Sequence, residues 1–333
     1  MRCSFKTCVL AGRTNKLNKI CPRMDSKDLT TSPQTFSTLS LNDVPDEVIL
    51  RVFGNLEIKD FIRCGQVSKR IRAISQDQSL WLRIDLYENK SVATGFLEYV
   101  LNNGCKYLGL GFTQIGQING ESLRCNSSQL KCLDLSFCQS SHQVFDDLLS
   151  SCHSLEKLSL ASQCRIMLNK DLFKTMCHQF GATLQVLNVS NCYRPNMEIM
   201  DLEMIQLLID SFSQLKEVNF GNTYLSEESL DYLCNNLSEN VVKLGLCNQE
   251  KLMDKHITAL VNRCNKLTSL DLENCCNISK ISTTNIIESL KSSLEELVLR
   301  RSLYTGFREV NNGKSEIVYQ PSGKKLLKSC FLT

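Results

Sequence analysis

One nine-residue pattern recurs along most of the chain and constrains its fold more than any other feature. The pattern, L-x-x-L-x-L-x-x-C/N/T, is clearest in LKCLDLSFC from Leu130, LQVLNVSNC from Leu184 and LTSLDLENC from Leu267. Looser copies begin at Trp81, Cys105, Leu155, Leu215, Val241 and Leu294. Successive copies start 24, 25, 25, 29, 31, 26, 26 and 27 residues apart, an interval foreign to coiled coils, sandwiches and doubly wound sheets. Within each copy the apolar residues alternate, as at Leu133 and Leu135, so a short strand sends them to one side. The following segments change period. VFDDLLSSC (144–152), LEMIQLLIDSF (202–212), SLDYLCNNL (229–237) and ITALVNRC (257–264) place apolar residues at helical spacing, giving one buried face each. Neither half of a unit can bury its apolar side alone, so the units must stack.

These strand–helix units resemble the cysteine-containing class of leucine-rich repeats, about nine of them across residues 81–302. The resemblance implies an α/β fold, a curved solenoid with parallel strands inside and helices outside. The last motif position holds Cys138, Cys192 and Cys275, or Thr223 and Ser302. A small side chain with a weak donor there can turn under the strand and meet backbone groups. Residues flanking the inward leucines face the concave side. The functional groups among them form a candidate target-binding surface: Asp134, Lys157, Asn188, Glu217, Asn219, Lys243, Asp271, Glu273, Glu296 and Arg300. Small residues between them, such as Gly109, Gly111, Ser159 and Ala161, leave room for a partner to approach the backbone.

Upstream lies VPDEVILRVFGNLEIKDFIRCGQVSKRIRAISQDQSLWLRIDL, from Val44 to Leu86. Pro45 with Asp46 and Glu47 is a helix start, because proline fits the first turn and acids favour its dipole. Ile49, Val52, Phe53 and Leu56 follow at helical spacing, with Gly54 and Asn55 letting that helix end near Leu56. Asp60 is placed to cap a second helix carrying Phe61, Cys64 and Val67, and a third begins about Ser68. So small a unit has too little core to stand comfortably alone, and apolar side chains left exposed on it suggest a partner surface. The run resembles an F-box, and SLWLRIDL resembles the junction by which F-box proteins enter leucine-rich repeats. The resemblance implies a short three-helix F-box at residues 41–80 that docks on a Skp-type adaptor, and through it on a cullin and a RING protein. By position, the implied adaptor contacts are Leu41, Val44, Pro45, Ile49, Phe53, Leu56, Phe61 and Val67. The sequence departs from the family at Val44, where Leu usually precedes the proline, and at Ile71, where Trp is usual. A plain helical cap on the first repeat accounts for three helices, but not for the proline–acid start and the SLW junction together.

The composition, 42% hydrophobic and 22% charged, suits a soluble folded protein, and the cysteine usage described next points to a reducing compartment, the cytoplasm or nucleus. A net charge of +3 is too small to make nucleic acid the main partner. Eighteen cysteines would suit a disulfide scaffold, but residues 1–23 have no apolar signal core and many cysteines recur at one repeat phase, so buried free thiols are the better account. Residues 1–40 read as a disordered leader. Residues 303–333 form a lysine-bearing tail, either solvated or folded across the acidic end at Asp271, Glu273 and Glu296. The ending Cys330-Phe331-Leu332-Thr333 has the C-a-a-X form, making Cys330 a lipidation candidate and the one route to a membrane. Gly313-Lys314-Ser315 lacks the spacing of a phosphate loop, and Cys152-His153 and Cys177-His178 lie in separate repeats without CxxC pairs. No cofactor, metal ligand set or nucleophile–base arrangement is expected. The reading is a non-catalytic receptor subunit of a ubiquitin ligase, with a leucine-rich-repeat scaffold or inhibitor outside any ligase as the alternative.

Overall fold

The computed structural model describes residues 41–116, 122–125, 127, 129–193, 200–299 and 318–319. The leader, Arg300, Ser302 and Cys330 lie outside these residues. A 3-10 turn at Leu41–Asp43 leads into four helices: α1 (Asp46–Phe53), α2 (Ile58–Cys64), α3 (Lys69–Ser75) and α4 (Gln78–Trp81). Pro45 starts α1 with Asp46 and Glu47 in its first turn, as expected, but the helix stops at Phe53, before Leu56. Asp60 lies in the first turn of α2; the cap position is Glu57, whose side chain makes no cap bond. Ser68 caps α3 by accepting the Ile71 N–H at 3.1 Å.

The short α4 was not foreseen, and it supplies the joint. Its Trp81 is 3% exposed and meets Phe61 edge-on at 5.3 Å between ring centroids. Tyr99, on the first outer helix, packs against the same indole at 4.8 Å, and the indole N–H donates to the Ser75 carbonyl at 3.1 Å. A single buried core therefore runs from the N-terminal helices into the repeats.

The repeats supply β1 (Arg83–Asp85), β2 (Tyr107–Gly109), β3 (Cys132–Asp134), β4 (Lys157–Ser159), β5 (Val186–Asn188), β6 (Glu217–Asn219), β7 (Lys243–Gly245), β8 (Ser269–Asp271) and β9 (Glu296–Val298). They pair in sequence order, all parallel, with the first residue of each strand opposite the first residue of the next. From the tail, β10 (Val318–Tyr319) pairs antiparallel with β9 and covers part of that edge. Outer helices include Thr94–Asn102, His142–Ser151, Lys170–Phe180, Leu202–Ser211, Glu227–Asn236, Asp254–Arg263 and Lys280–Ser289. Two of them begin two residues before their apolar pattern, at His142 and Glu227, because Ser141 and Ser226 cap them from just outside. This is a leucine-rich-repeat-like α/β solenoid.

Zero stagger turns each repeat position into a column. Ile84, Leu108, Leu133, Leu158, Leu187, Val218, Leu244, Leu270 and Leu297 form one, and none is more than 3% exposed. Each such side chain contributes about 1.5–3 kcal/mol on full burial. The motif's last position forms another column, and its side chains do reach backbone carbonyls. Cys192 and Cys275 Sγ approach Leu160 O and Leu246 O at 3.6 and 3.1 Å, while Thr113 and Thr223 Oγ1 each donate to a carbonyl at 2.6 Å. Gln163 and Gln249 occupy the same column. Gln249 is fully buried; its Nε2 donates to Phe220 O and Thr223 Oγ1 at 2.7 and 3.0 Å, and its Oε1 accepts the Leu225 N–H at 2.9 Å.

The residue before that column adopts a left-handed backbone in eight successive repeats. Asn191, Asn222, Asn248 and Asn274 take φ near 57–59°, a conformation asparagine tolerates. Glu88, Phe112, Phe137 and Ser162 take the same conformation without that tolerance. A bulky residue held there costs on the order of 1–3 kcal/mol.

The described cysteines are free thiols. Burial pushes Cys105 and Cys264 up to about 11 and Cys138, Cys152, Cys177 and Cys275 up to about 12. Two outcomes follow. Gln249→Leu, which strands the buried Leu225 N–H and leaves the Phe220 carbonyl with Thr223 as its side-chain donor, should lower stability by about 1–3 kcal/mol in urea titrations. Iodoacetamide at pH 7.5 should leave these six cysteines unlabelled in the folded chain and label them in urea, read by peptide mass spectrometry.

Candidate protein-docking site

The first candidate surface is on the F-box-like helices. Arg70, on α3, positions it. Its guanidinium donates to Asp46 Oδ1 at 2.5 and 2.8 Å, to Val44 O at 2.5 Å and to Leu41 O at 3.2 Å, clamping the segment that leads into α1. Gly65 lets α2 and α3 approach closely, since a Cβ there would lie 2.5 Å from Ser75 Oγ.

The eight residues implied by resemblance do not share one surface. Leu41, Pro45 and Val67 are exposed, Leu41 and Val67 by 57% and 74%. Val44 and Leu56 are half-buried. Ile49, Phe53 and Phe61 are only 3–5% exposed and belong to the internal core, so a partner cannot touch them without unpacking it. Sequence reading missed Val48 and Val52, exposed by 50% and 52% and one helical turn apart on α1. The paired apolar doublets Val48-Ile49 and Val52-Phe53 held the signal: only one member of each can face inward, and the larger does.

The second candidate surface is the concave face of the sheet, which is narrower than strand alternation implies. Asp134 and Asn188 are 3% and 4% exposed rather than presented, because neighbouring strands and turns close over them. Their Oδ1 atoms accept the backbone N–H two residues ahead, from Ser136 and Ser190, at 2.8 and 3.0 Å. Asn219 and Asp271 make the same turn with Gly221 and Glu273, at 2.8 and 2.9 Å. Glu217 and Lys243 face each other at 3.2 Å, and Glu296 accepts from Ser269 at 3.0 Å. Lys157 and Glu273 are half-buried at the face; Arg300 lies outside the described residues. Burial, with a lesser push from Asp85, raises Asp134 to about 6.

One further cluster sits on the outer helices. Glu227, Asp231 and His256 bring donor atoms within 4.8 Å of one another. The Lys255 ammonium already lies among them, 2.6 Å from Glu227 and 3.0 Å from Asp231. His256 Nδ1 accepts the Met253 N–H at 2.9 Å, so the neutral ring carries its proton on Nε2, which faces Asp231 Oδ1 at 3.1 Å. That tautomer offers no free lone pair to a metal.

Residues 41–87 match the family model described as F-box-like, so the chain carries an F-box-like domain at its described N-terminal helices. Among solved structures, the chain is similar to one from the yeast Rad7 and Elc1 complex. Identity is 15%, the TM-score is 0.41, and the match covers 76% of this chain and 81% of that one. It is also similar to the tropomodulin C-terminal domain of Caenorhabditis elegans, at 14% identity and a TM-score of 0.34, over 42% of this chain and 84% of that one. Among the described residues no helix is long and apolar enough to cross a membrane.

Desolvation holds His256 below its ordinary value of 6.5, outweighing Asp231, which acts to raise it. The unfolded chain therefore binds this proton first, and the His256 contribution to stability falls as pH drops through about 6.5. Asp134, raised to about 6, acts with the opposite sign, so the His256 part is read by difference: from pH 7.5 to pH 5.5 the urea midpoint should fall further, or rise less, in the wild-type chain than in His256→Gln.

Proposed function

We propose that this chain is the substrate-recognition subunit of an SCF-type cullin–RING ubiquitin ligase. The observation that carries the reading is a coincidence of place. The F-box-like match covers the helices that leave Leu41, Pro45, Val48, Val52 and Val67 in water, although apolar side chains of that size are ordinarily turned inward. A Skp-type adaptor would cover this patch and link the chain to cullin and RING protein. The repeats would hold the target polypeptide. Ubiquitin transfer would belong to the partnered conjugating enzyme, with this chain contributing proximity and orientation. The likeness of the F-box, junction and repeats to S-phase kinase-associated protein 2 belongs to the same reading and leaves the target open.

Mechanically, Trp81 is what would make such a receptor useful. It buries against both modules, so an adaptor held by the helices and a target held by the strands would keep a fixed relation. The residues to alter are exposed ones. Val48→Asp with Val52→Asp should abolish copurification of adaptor and cullin while leaving the thermal midpoint within a few degrees. Phe53→Ala should instead unfold or destabilise the chain, by about 3–5 kcal/mol. Retention of adaptor by the Val48/Val52 double variant, or none by the wild-type chain, would sink the ligase reading and favour a repeat scaffold outside any ligase.

A further inference from the structure

The left-handed column separates the solenoid into two halves. From Asn191 to Asn274 it is asparagine, and the side chains bond in pairs: Asn222 Nδ2 donates to Asn191 Oδ1 at 3.0 Å, and Asn274 Nδ2 to Asn248 Oδ1 at 2.5 Å. In the second and third repeats the same position holds Phe112 and Phe137, whose rings stack at 4.4 Å with 10° between planes. Tyr87 continues the row, edge-on to Phe112 at 5.5 Å. Phe112 is 37% exposed, and Tyr87 and Phe137 are half-buried. Nothing in the backbone requires aromatics here, since asparagine serves the same turn four times downstream. They are kept at a conformational cost and left in water.

The ground beneath these rings is closely packed and negative. A Cβ at Gly111 would lie 2.9 Å from Tyr87 Cδ2 and 3.2 Å from Asp134 Oδ2, so ring and carboxylate both crowd against this glycine. A Cβ at Gly109 would lie 2.9 Å from Asp85 Oδ1. Asp85 is exposed, Glu88 beside Tyr87 is exposed, and the Asp85 and Asp134 charges feel each other. Among the described residues neither Asp85 nor Asp134 has a basic group within 4 Å. Arg83, Lys106 and Lys131 lie at the other end of the strands, while Lys90 follows Glu88 in the next turn. Arg83, four residues before Tyr87 and so about 13 Å away along an extended chain, is spent on the Tyr107 ring at 4.5 Å. Lys131 pairs with Glu156.

We propose that the Tyr87–Phe112–Phe137 rail, in the field of Asp85, Glu88 and Asp134, is a docking site for a cationic side chain of a bound polypeptide. Arginine fits better than lysine, because a planar guanidinium lies flat on a ring while its N–H groups point outward to the exposed carboxylates of Asp85 and Glu88, the buried Asp134 acting only through its field. The same field repels phosphate, which excludes a phosphopeptide or nucleic-acid backbone from this rail. The inference rests on the reading of the repeats as a target receptor, and it narrows where on the sheet, and to what chemistry, a target segment binds.

The test uses the full chain with its adaptor and four fluorescein-labelled Gly/Ser dodecapeptides, whose two central residues are Arg, Lys, Glu or norleucine. The arginine peptide should bind at least tenfold more tightly than the glutamate and norleucine peptides, with lysine between. Phe112→Asn with Phe137→Asn restores the residue used downstream, and should raise the thermal midpoint while weakening the arginine peptide at least fivefold. Asp85→Asn, which keeps the acceptor for the Tyr87 N–H, should weaken it severalfold. Tyr87→Leu gives an independent check, leaving an apolar group on Gly111 without a ring. Equal binding of the glutamate or norleucine peptide overturns the proposal, as does unchanged binding by the folded double variant, or no arginine-peptide binding at 1 mM. Because adaptor retention is read separately from peptide binding, failure here and failure of the ligase reading are distinguishable.

Discussion

In-register parallel stacking is the constraint on which the remaining structure depends. Each three-residue strand pairs residue for residue with its neighbours, so whatever chemistry one repeat puts at a position meets the same position one strand spacing, about 4.8 Å, away. Leucine columns become a continuous core because no strand is offset. Asx turns recur because the third strand position always sits over an N–H two residues ahead. The constraint also explains where variation is allowed. The longer intervals, of 29 and 31 residues, take their extra length between strands, and in the 29-residue one Cys164–Leu168 adds a helix without shifting the register on either side.

The second dependence is the closure of the array's first end. A solenoid's terminal repeat exposes the side that its neighbour would have covered, and here the F-box-like helices cover it through Trp81, Phe61 and Ile84, all within the same core. That arrangement resolves the tension between a cap and a docking module. The inward faces of α1 and α2, with Ile49, Phe53 and Phe61, do the capping. The neighbouring stripe of α1, with Val48 and Val52, is left in water. One helix can serve both purposes because two apolar stripes lie side by side on it.

Sequence legibility followed the same physics. Leucine spacing carried the solenoid, its period and its strand positions, because burial repeats at every copy and tolerates few residue types. The proline–acid start and Ser68 were legible as local backbone signals. The inward and outward members of Val48-Ile49 and Val52-Phe53 were not, since spacing alone does not say which of two adjacent valines and larger residues faces the core. Gln163 and Gln249 were missed in the motif's last column because the pattern was read as small side chains, whereas the column selects a donor that reaches a carbonyl, which Cys, Thr and Gln all provide. Asp134 and Asn188 were read as presented because alternation ignores what adjacent turns cover.

The left-handed column shows how one geometric slot can be put to two uses. With asparagine, φ near 57° is tolerated and the amides bond along the stack, so the slot relieves strain and adds polar cohesion. With phenylalanine, strain stays and the rings stack instead, gaining apolar contact along the same line but leaving one ring substantially in water. A fold selected only for cohesion would have no reason to change residue type partway along a column whose backbone does not change. The switch between Phe137 and Asn191 is therefore better explained by what lies outside the chain than by anything the stack itself requires.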